Sequence, residues 1–476
     1  MSTDKLTLQT ILQIGYAAYE RRHPLPDWVR KAAWAILSCR TAVWGGHVQR
    51  CPDGHVQRLW YHSCQHRMGP PCAWLPVERW LRHQRARLLA CDHSHMICTL
   101  PAERHGLWLA NVTAMTPLLC ATVRETLGEL LGDAQYLGAQ PGMIAALHTW
   151  SQTLGWHPPG HGLVTGGGLT ADGQWRAVHH GFLRPVRVVM AVFRGQLLAA
   201  IRQGVAHGRL TLPAGKSGQQ LEHLRHKLGR TKWQVLIRER DPHGHGVLTS
   251  LVRYLRGGPP ANQRLVSCAQ GAVTFRYRVH GEAAGSQRRG LMTVPIAEFL
   301  RRYLVHVPAP GTTIVRCYGL YAPTKGADLA RGRGPLGQGT VVQPPVLDWQ
   351  TACQDRGDEH PERCPGCGRL LVCLGVILPA RIPPPGDGLA EVAACTASAA
   401  GARAGWWSGV SCRARAAVWR PLRRVQKPSL TPIRQHSRGG SGRSLRRAGG
   451  FQAAGPGINS IARMCGTRCA GRPTRR

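Results

Sequence analysis

Between residues 39 and 72 the chain has almost nothing from which to build an apolar interior. Cys39, Cys51, Cys64 and Cys72 stand there among Gly, Pro, His and Arg, with few aliphatic side chains between them. A segment this poor in apolar surface cannot fold by burying it, and an internal metal is the substitute its cysteines can hold. Within "RCPDGHVQRLWYHSCQHRMGPPC", Cys51, His55, Cys64 and Cys72 offer four soft or borderline donors. Such a set suits one closed, tetrahedral, structural zinc site. The spacing is not that of paired Cys-x-x-Cys knuckles, and cysteines simply buried in a loop are the competing reading.

This segment is a small part of 476 residues that are 43% hydrophobic, enough for two or three domains and a sizeable core. Residues 5 to 35 place apolar positions at helical spacing, which predicts two short helices. "PVERWLRHQRARLL" reads as a basic helix with Trp80, Leu81 and Leu88 on one side and Arg79, Arg82, Arg85 and Arg87 more exposed. Strands are expected at 95–100, 161–166, 232–238, 271–279 and 312–318, and helices at 106–132, 185–207, 247–256 and 294–306. The class is therefore α+β. Four regions are expected: a helical and zinc-binding region at 10–92, a catalytic region at 93–345, a Cys-containing knuckle around "RCPGCGRLLVC" at 346–385, and a basic tail at 386–476. Residues 401–476 hold seventeen basic residues and no Asp or Glu, a composition that predicts disorder.

The formal charge is +38, and without the seventeen basic residues of that tail 45 basic still face 24 acidic residues. A polyanion is the expected partner, and nucleic acid is the commonest large one inside a cell. The N-terminus lacks the pattern of a signal peptide, and no apolar run of about 20 residues stands out, so the expected place is the cytoplasm. In that compartment seventeen cysteines point to metal rather than to disulfides.

Two stretches carry possible chemistry. In "LGWHPPGHGLVTGGGL", His157 and His161 lie an even number of residues apart, as two ligands on one strand face would, but two prolines and a glycine intervene. The pairs His93/His95 and His243/His245 do not exceed what 23 histidines give by chance. The triple glycine lacks the Lys and Ser/Thr of a phosphate-binding loop. In "VRYLRGGPPANQRL", Tyr254 lies between Arg253 and Arg256. A tyrosine among arginines is usually half-buried on an amphipathic helix. It can also attack a phosphodiester, given cations to bind the phosphate and a metal to polarise it.

Taken in order, "CRTAVWGGHVQRCPDGHVQRLWYHSCQHR", "PVERWLRHQRARLLACDHSHMICTLP", "GWHPPGHGLVTGGGL", "RTKWQVLIRERDPHGHG", "VRYLRGGPPANQRL" and "EFLRRYLVHVPAPGTTIVRCYGLYA" resemble the HUH-class rolling-circle insertion-sequence transposases with an N-terminal zinc-binding domain. The resemblance spans roughly residues 10 to 385. It implies an HUH-type nuclease domain built on a central antiparallel sheet and acting on single-stranded DNA at the element ends and target. It also implies structural zinc, one catalytic Mg or Mn ion, and attack by Tyr254 to leave a 5′-phosphotyrosine, with Arg253, Arg256, Arg82 and Arg85 on the DNA. The metal pair of the family falls on positions 159 and 161, which here are Pro159 and His161, so His157 is expected to replace the missing ligand. Gly69 occupies a position where the family has cysteine, and Ser250 the first of two tyrosine positions, which leaves a single-tyrosine version. The alternative is a catalytically inactive DNA-binding remnant.

Overall fold

The computed structural model describes residues 6–101, 103, 105–178, 185–230, 233–252, 262–279, 289–358, 360–380 and 420–421. The two expected N-terminal helices are Leu8–Arg22 (α1) and Asp27–Leu37 (α2), the first capped by Thr7, whose side chain accepts from the Thr10 amide at 3.1 Å. Gly46–Arg50 (β1) and Gln57–Tyr61 (β2) form a hairpin, and Trp74–Arg87 (α3) is the basic helix. Then come Asp92–Thr99 (β3), His105–Ala110 (α4), Val112–Gly132 (α5), Gln140–Leu147 (β4), Pro159–Leu169 (β5) and Trp175–Ala177 (β6). Val186–Ala206 (α6), Gly218–Arg230 (α7), Gln234–Pro242 (β7) and His245–Val252 (α8) come next. The last part holds Leu265–Ala269 (β8), Ala272–Arg278 (β9), Arg289–Pro295 (β10), Ile296–Leu304 (α9), Val315–Gly319 (β11), Gly326–Arg333 (α10), Trp349–Asp355 (α11) and Val372–Ile377 (β12).

The class is α+β, and every pairing between described strands is antiparallel. The largest sheet runs β11-β4-β5-β3-β7, with β6 paired to the end of β5. Side chains alternate across it. Met96, Cys98, Met143 and Val164 pack with Leu119, Leu127, Phe193 and Leu197 of α5 and α6. On the opposite face Ile144, Ala146 and Leu163 pack with Leu81 of α3 and with Leu248 and Leu251 of α8. Helix α6 is long and apolar enough, by length and composition, to cross a membrane. Here it lays Val189, Phe193, Leu197 and Ile201 into the core.

The glycines that close β5 are a packing device. A Cβ on Gly166 would lie 2.9 Å from the Asp92 carbonyl oxygen, and one on Gly168 would lie 2.7 Å from that of Gln140. Both contacts are with neighbouring backbone, which cannot swing away as a side chain would.

The regional boundaries expected from composition cut through shared structure. Leu8, Ile11, Leu12 and Ile36 of the N-terminal helices share a core with Val273 and Phe275 of β9 and with Phe299, Leu300 and Tyr303 of α9. The 346–385 knuckle is not a separate body either, because β12 pairs along β1 from Gly46↔Ile377 to Arg50↔Val372. Of the basic tail, only Arg420–Pro421, a short strand beside β12, falls within the described residues.

Candidate functional site

Three histidines meet on the α8 face of the large sheet. The register sets Ile97 of β3 and Ala146 of β4 opposite His161 of β5, and His95 opposite Leu163. Opposed residues share a face, so His95 and His161 lie diagonally across one strand pair. His95 Nε2 and His161 Nδ1 are 3.1 Å apart. His148, one residue past the end of β4, brings its ring centroid to 5.6 Å from that of His161. All three residues are buried. Burial first, then the charges of His161, His306 and His157, holds the His148 imidazole well below its usual pKa, so it stays neutral and able to ligate.

Helix α8 packs over β3, β5 and β7 on this face. Its start is fixed by the Asp241 carboxylate, which accepts from the Val247 amide at 2.5 Å. The helix ends at Val252, two residues before Tyr254. Arg253, Tyr254 and Arg256 themselves lie outside the described residues.

The structure does not bring His157, the replacement ligand that the sequence suggested, into contact with His161 among the described interactions. The His157 amide donates to the Thr149 carbonyl at 2.8 Å, and the ring contact it makes is with His105, at 6.5 Å between centroids. The residues that join His161 are His95 and His148, which sequence reasoning passed over. His95 belonged to an H-x-H pair at background frequency, and His148 belonged to no pattern. Pro159 opens β5 opposite Thr99. Leu147 pairs with Gly160, so His148, the next residue, stands in register beside position 159. His93 has a structural role, with Nδ1 against the Cys91 carbonyl at 2.8 Å and Nε2 against the Tyr321 hydroxyl at 2.7 Å. Burial pushes its pKa down to about 4.

His95 and His161 offer two donors at a spacing one divalent ion can bridge, with the His148 ring beside them. Two nitrogens of one octahedral ion lie about 3 Å apart, near the 3.1 Å found between His95 and His161. Imidazole donors suit the softer transition-metal ions best, whereas Mg and Mn prefer oxygen ligands.

The single zinc site expected from Cys51, His55, Cys64 and Cys72 is corrected to two groups. Cys51 and His55 join Cys364 and Cys367, whereas Cys64 and Cys72 join Cys39; within each group all the ligand atoms lie within 4.8 Å of one another. The hairpin β1–β2 causes the split, because it carries Cys51 and His55 at its tip while Cys39 and Cys64 flank its base. In the second group Sγ separations are 3.3 Å for Cys39–Cys72 and 3.7 Å for Cys64–Cys72. Hydrogen bonds from Cys39 and then Cys64 hold the Cys72 thiol far below its ordinary pKa, so the trio shares a thiolate, the form that binds metal.

The arginines of α3 are less exposed than the sequence suggested. All four are half-buried and tied to the protein. Arg79 donates to the Leu347 carbonyl at 2.6 Å, and Arg82 pairs with Asp355 at 2.5 Å. Arg85 donates to the Thr249 hydroxyl of α8 at 3.1 Å, and Arg87 donates to the Tyr321 carbonyl at 3.0 Å. These contacts tie α3 to α8, α11 and the segments around them.

A cysteine-rich region set beside an antiparallel sheet with a histidine face has clear counterparts. Residues 11–100 match the family model "Transposase zinc-binding domain", and residues 142–328 match "Putative transposase". "Putative transposase y4qJ" of Sinorhizobium fredii is 34% identical over 363 residues, covering 74% of this chain and 90% of that protein. "Transposase for insertion sequence element IS801" of Pseudomonas savastanoi pv. phaseolicola is 28% identical over 352 residues, 72% of this chain and 82% of that one. The chain belongs to the insertion-sequence transposases that carry an N-terminal zinc-binding domain. Among solved structures, the conjugative relaxase TrwC in complex with oriT DNA, in its metal-bound form, matches 34% of this chain and 72% of that one. With 14% identity and a TM-score of 0.19, that likeness is too slight to bear on function.

Proposed function

We propose that this transposase cleaves and rejoins single-stranded DNA at the element ends and target through a 5′-phosphotyrosine on Tyr254, working with DNA in the cytoplasm. One observation carries the reading: His95 and His161 converge to 3.1 Å on the sheet face covered by α8, the helix that leads into Tyr254. Attack by the phenolic oxygen forms a bond to phosphorus and breaks the bond to the 3′-oxygen. The proton lost by the phenol is balanced by the one the 3′-hydroxyl gains. His95 and His161, with His148 beside them, would hold a divalent ion, Mg or Mn, whose chemistry there is Lewis-acid polarisation of the scissile phosphate. Arg253 and Arg256, flanking the nucleophile, would bind that phosphate.

The test is strand cleavage of single-stranded DNA carrying the element terminus, with Mn supplied. His95→Ala and His161→Ala should each lower cleavage by on the order of 100-fold, while His157→Ala should leave it nearly unchanged. A loss confined to His157→Ala would overturn the ligand assignment. Pro159 favours a second reading, an inactive DNA-binding remnant. It removes one imidazole from the position beside His148 and deprives the first residue of β5 of an amide donor.

A further inference from the structure

We infer that Cys51, His55, Cys364 and Cys367 form a structural zinc clasp that fastens residues 360–380 to the β1–β2 hairpin. The zinc-binding fold is then completed by a segment far outside the N-terminal region. The geometry already has the dimensions of a tetrahedral site. Zn–S bonds near 2.3 Å and Zn–N bonds near 2.05 Å put ligand atoms about 3.8 Å apart for S···S and about 3.6 Å for S···N. Cys51 Sγ lies 3.6 Å from His55 Nδ1 and 3.5 Å from Cys367 Sγ.

Two tight turns present the ligands. In one, the Cys51 amide donates to the Val56 carbonyl at 2.8 Å, and in the other the Cys364 amide donates to the Arg369 carbonyl at 2.8 Å. An ion pair between Arg369 and Asp53 at 2.6 Å bridges the turns. Cys51 directly follows β1, and Cys364 and Cys367 precede β12, its partner strand, so the metal would sit where the paired strands end.

The small sheet needs such a fastening. Of β12 only Gly375 is buried, while Val372, Leu374 and Val376 are exposed, and among the described residues the apolar cluster around the ligands contains just Cys51, Cys364, Leu371 and Val56. So little apolar burial cannot hold a strand across more than 300 residues of intervening chain; four metal bonds can.

The inference is tested by zinc content of the full chain after exhaustive gel filtration, with amide exchange of β1 and β12 as a second readout. Cys364→Ser and Cys367→Ser should each lose about one zinc per chain and speed exchange in both strands. Cys373→Ser removes an exposed thiol in β12 that is outside the group, and it should lose none. His55→Cys should keep the zinc, since it exchanges one ligand for another, and that retention separates a ligand role from general misfolding. Unchanged zinc in Cys364→Ser and Cys367→Ser, equal loss in Cys373→Ser, or loss in His55→Cys would each overturn the clasp. None of these readouts depends on DNA cleavage.

Discussion

Gly69 stands beside the three-cysteine group without contributing to it. A Cβ built there would lie 3.4 Å from the His66 carbonyl oxygen, 3.5 Å from Cys72 Cβ and 3.6 Å from Cys72 Sγ, ordinary contact distances that place it beside the group. The group of Cys39, Cys64 and Cys72 is thus one ligand short of the closed tetrahedral set that structural zinc prefers. Gly69→Cys should complete it, and the variant should keep zinc at this group against a chelator concentration that strips the natural chain. Equal loss from both proteins would contradict the assignment. A second residue-scale prediction concerns His306, whose Nε2 lies 3.1 Å from the Leu154 carbonyl and whose Nδ1 lies 3.1 Å from the Thr149 hydroxyl. Burial pushes its pKa to about 4, partly offset by the Leu154 carbonyl. The folded state therefore disfavours the proton that the unfolded chain takes up near pH 6.5, so the stability from this group is present above that pH and lost as pH falls towards 4. The loss amounts to about 3 kcal/mol at most. Melting temperature should therefore fall less steeply between pH 7 and pH 4.5 in His306→Gln than in the natural chain. Identical slopes would contradict this. Of the site itself, the sequence revealed His161 and the cysteines, but not their partners. His95 is 66 residues from His161 and Cys364 is 313 from Cys51, and only strand pairing joins them.

At the scale of elements, long periodic segments were legible and short or doubly buried ones were not. Helices α6 and α9 and strands β3, β5, β7, β9 and β11 lie where periodicity put them, within a few residues at their ends, whereas the single helix expected at 106–132 is broken at Asn111 into α4 and α5. Strand β4 escaped because "QPGMIAAL" is buried along nearly its whole length. A strand covered on both faces shows no alternation to read. Strands β1 and β2 escaped because they carry little apolar alternation, and β12, "VCLGVI", because an unbroken apolar run shows no alternation even though most of its side chains are exposed. Helix α3 was legible as a helix, but its arginines read as solvated because the sequence does not show that α8 and α11 pack beside it. Since Arg82 and Arg85 are already engaged by Asp355 and Thr249, replacing both with Ala should hardly alter how DNA affinity depends on salt. Each phosphate contact contributes about 0.7 to the slope of log affinity against log salt for single strands. A slope reduced by about 1.4 in the double variant would show that both arginines bind phosphate after all.

For the whole molecule, the excess of basic over acidic residues outside the 401–476 tail calls for a polyanionic partner, and single-stranded DNA is the one the proposed chemistry requires. Affinity should fall steeply between about 50 and 200 mM salt, and removing residues 401–476 should weaken nonspecific binding without altering site preference. The large sheet has α5 and α6 on one side and α3 and α8 on the other, where the histidines gather, and the chain enters the Tyr254 segment directly from the helix covering them. The central claim is that this face and Tyr254 form one working centre even with Pro159 in place. The most direct measurement is the covalent protein–DNA adduct formed with single-stranded DNA bearing the element terminus in Mn, mapped to its residue by peptide mass. An adduct on Tyr254 is expected in the natural chain, with its loss in Tyr254→Phe and at most a modest gain in Pro159→His. No adduct in the natural chain, together with a clear Tyr254 adduct in Pro159→His, would contradict that claim and show that the missing histidine had silenced the enzyme.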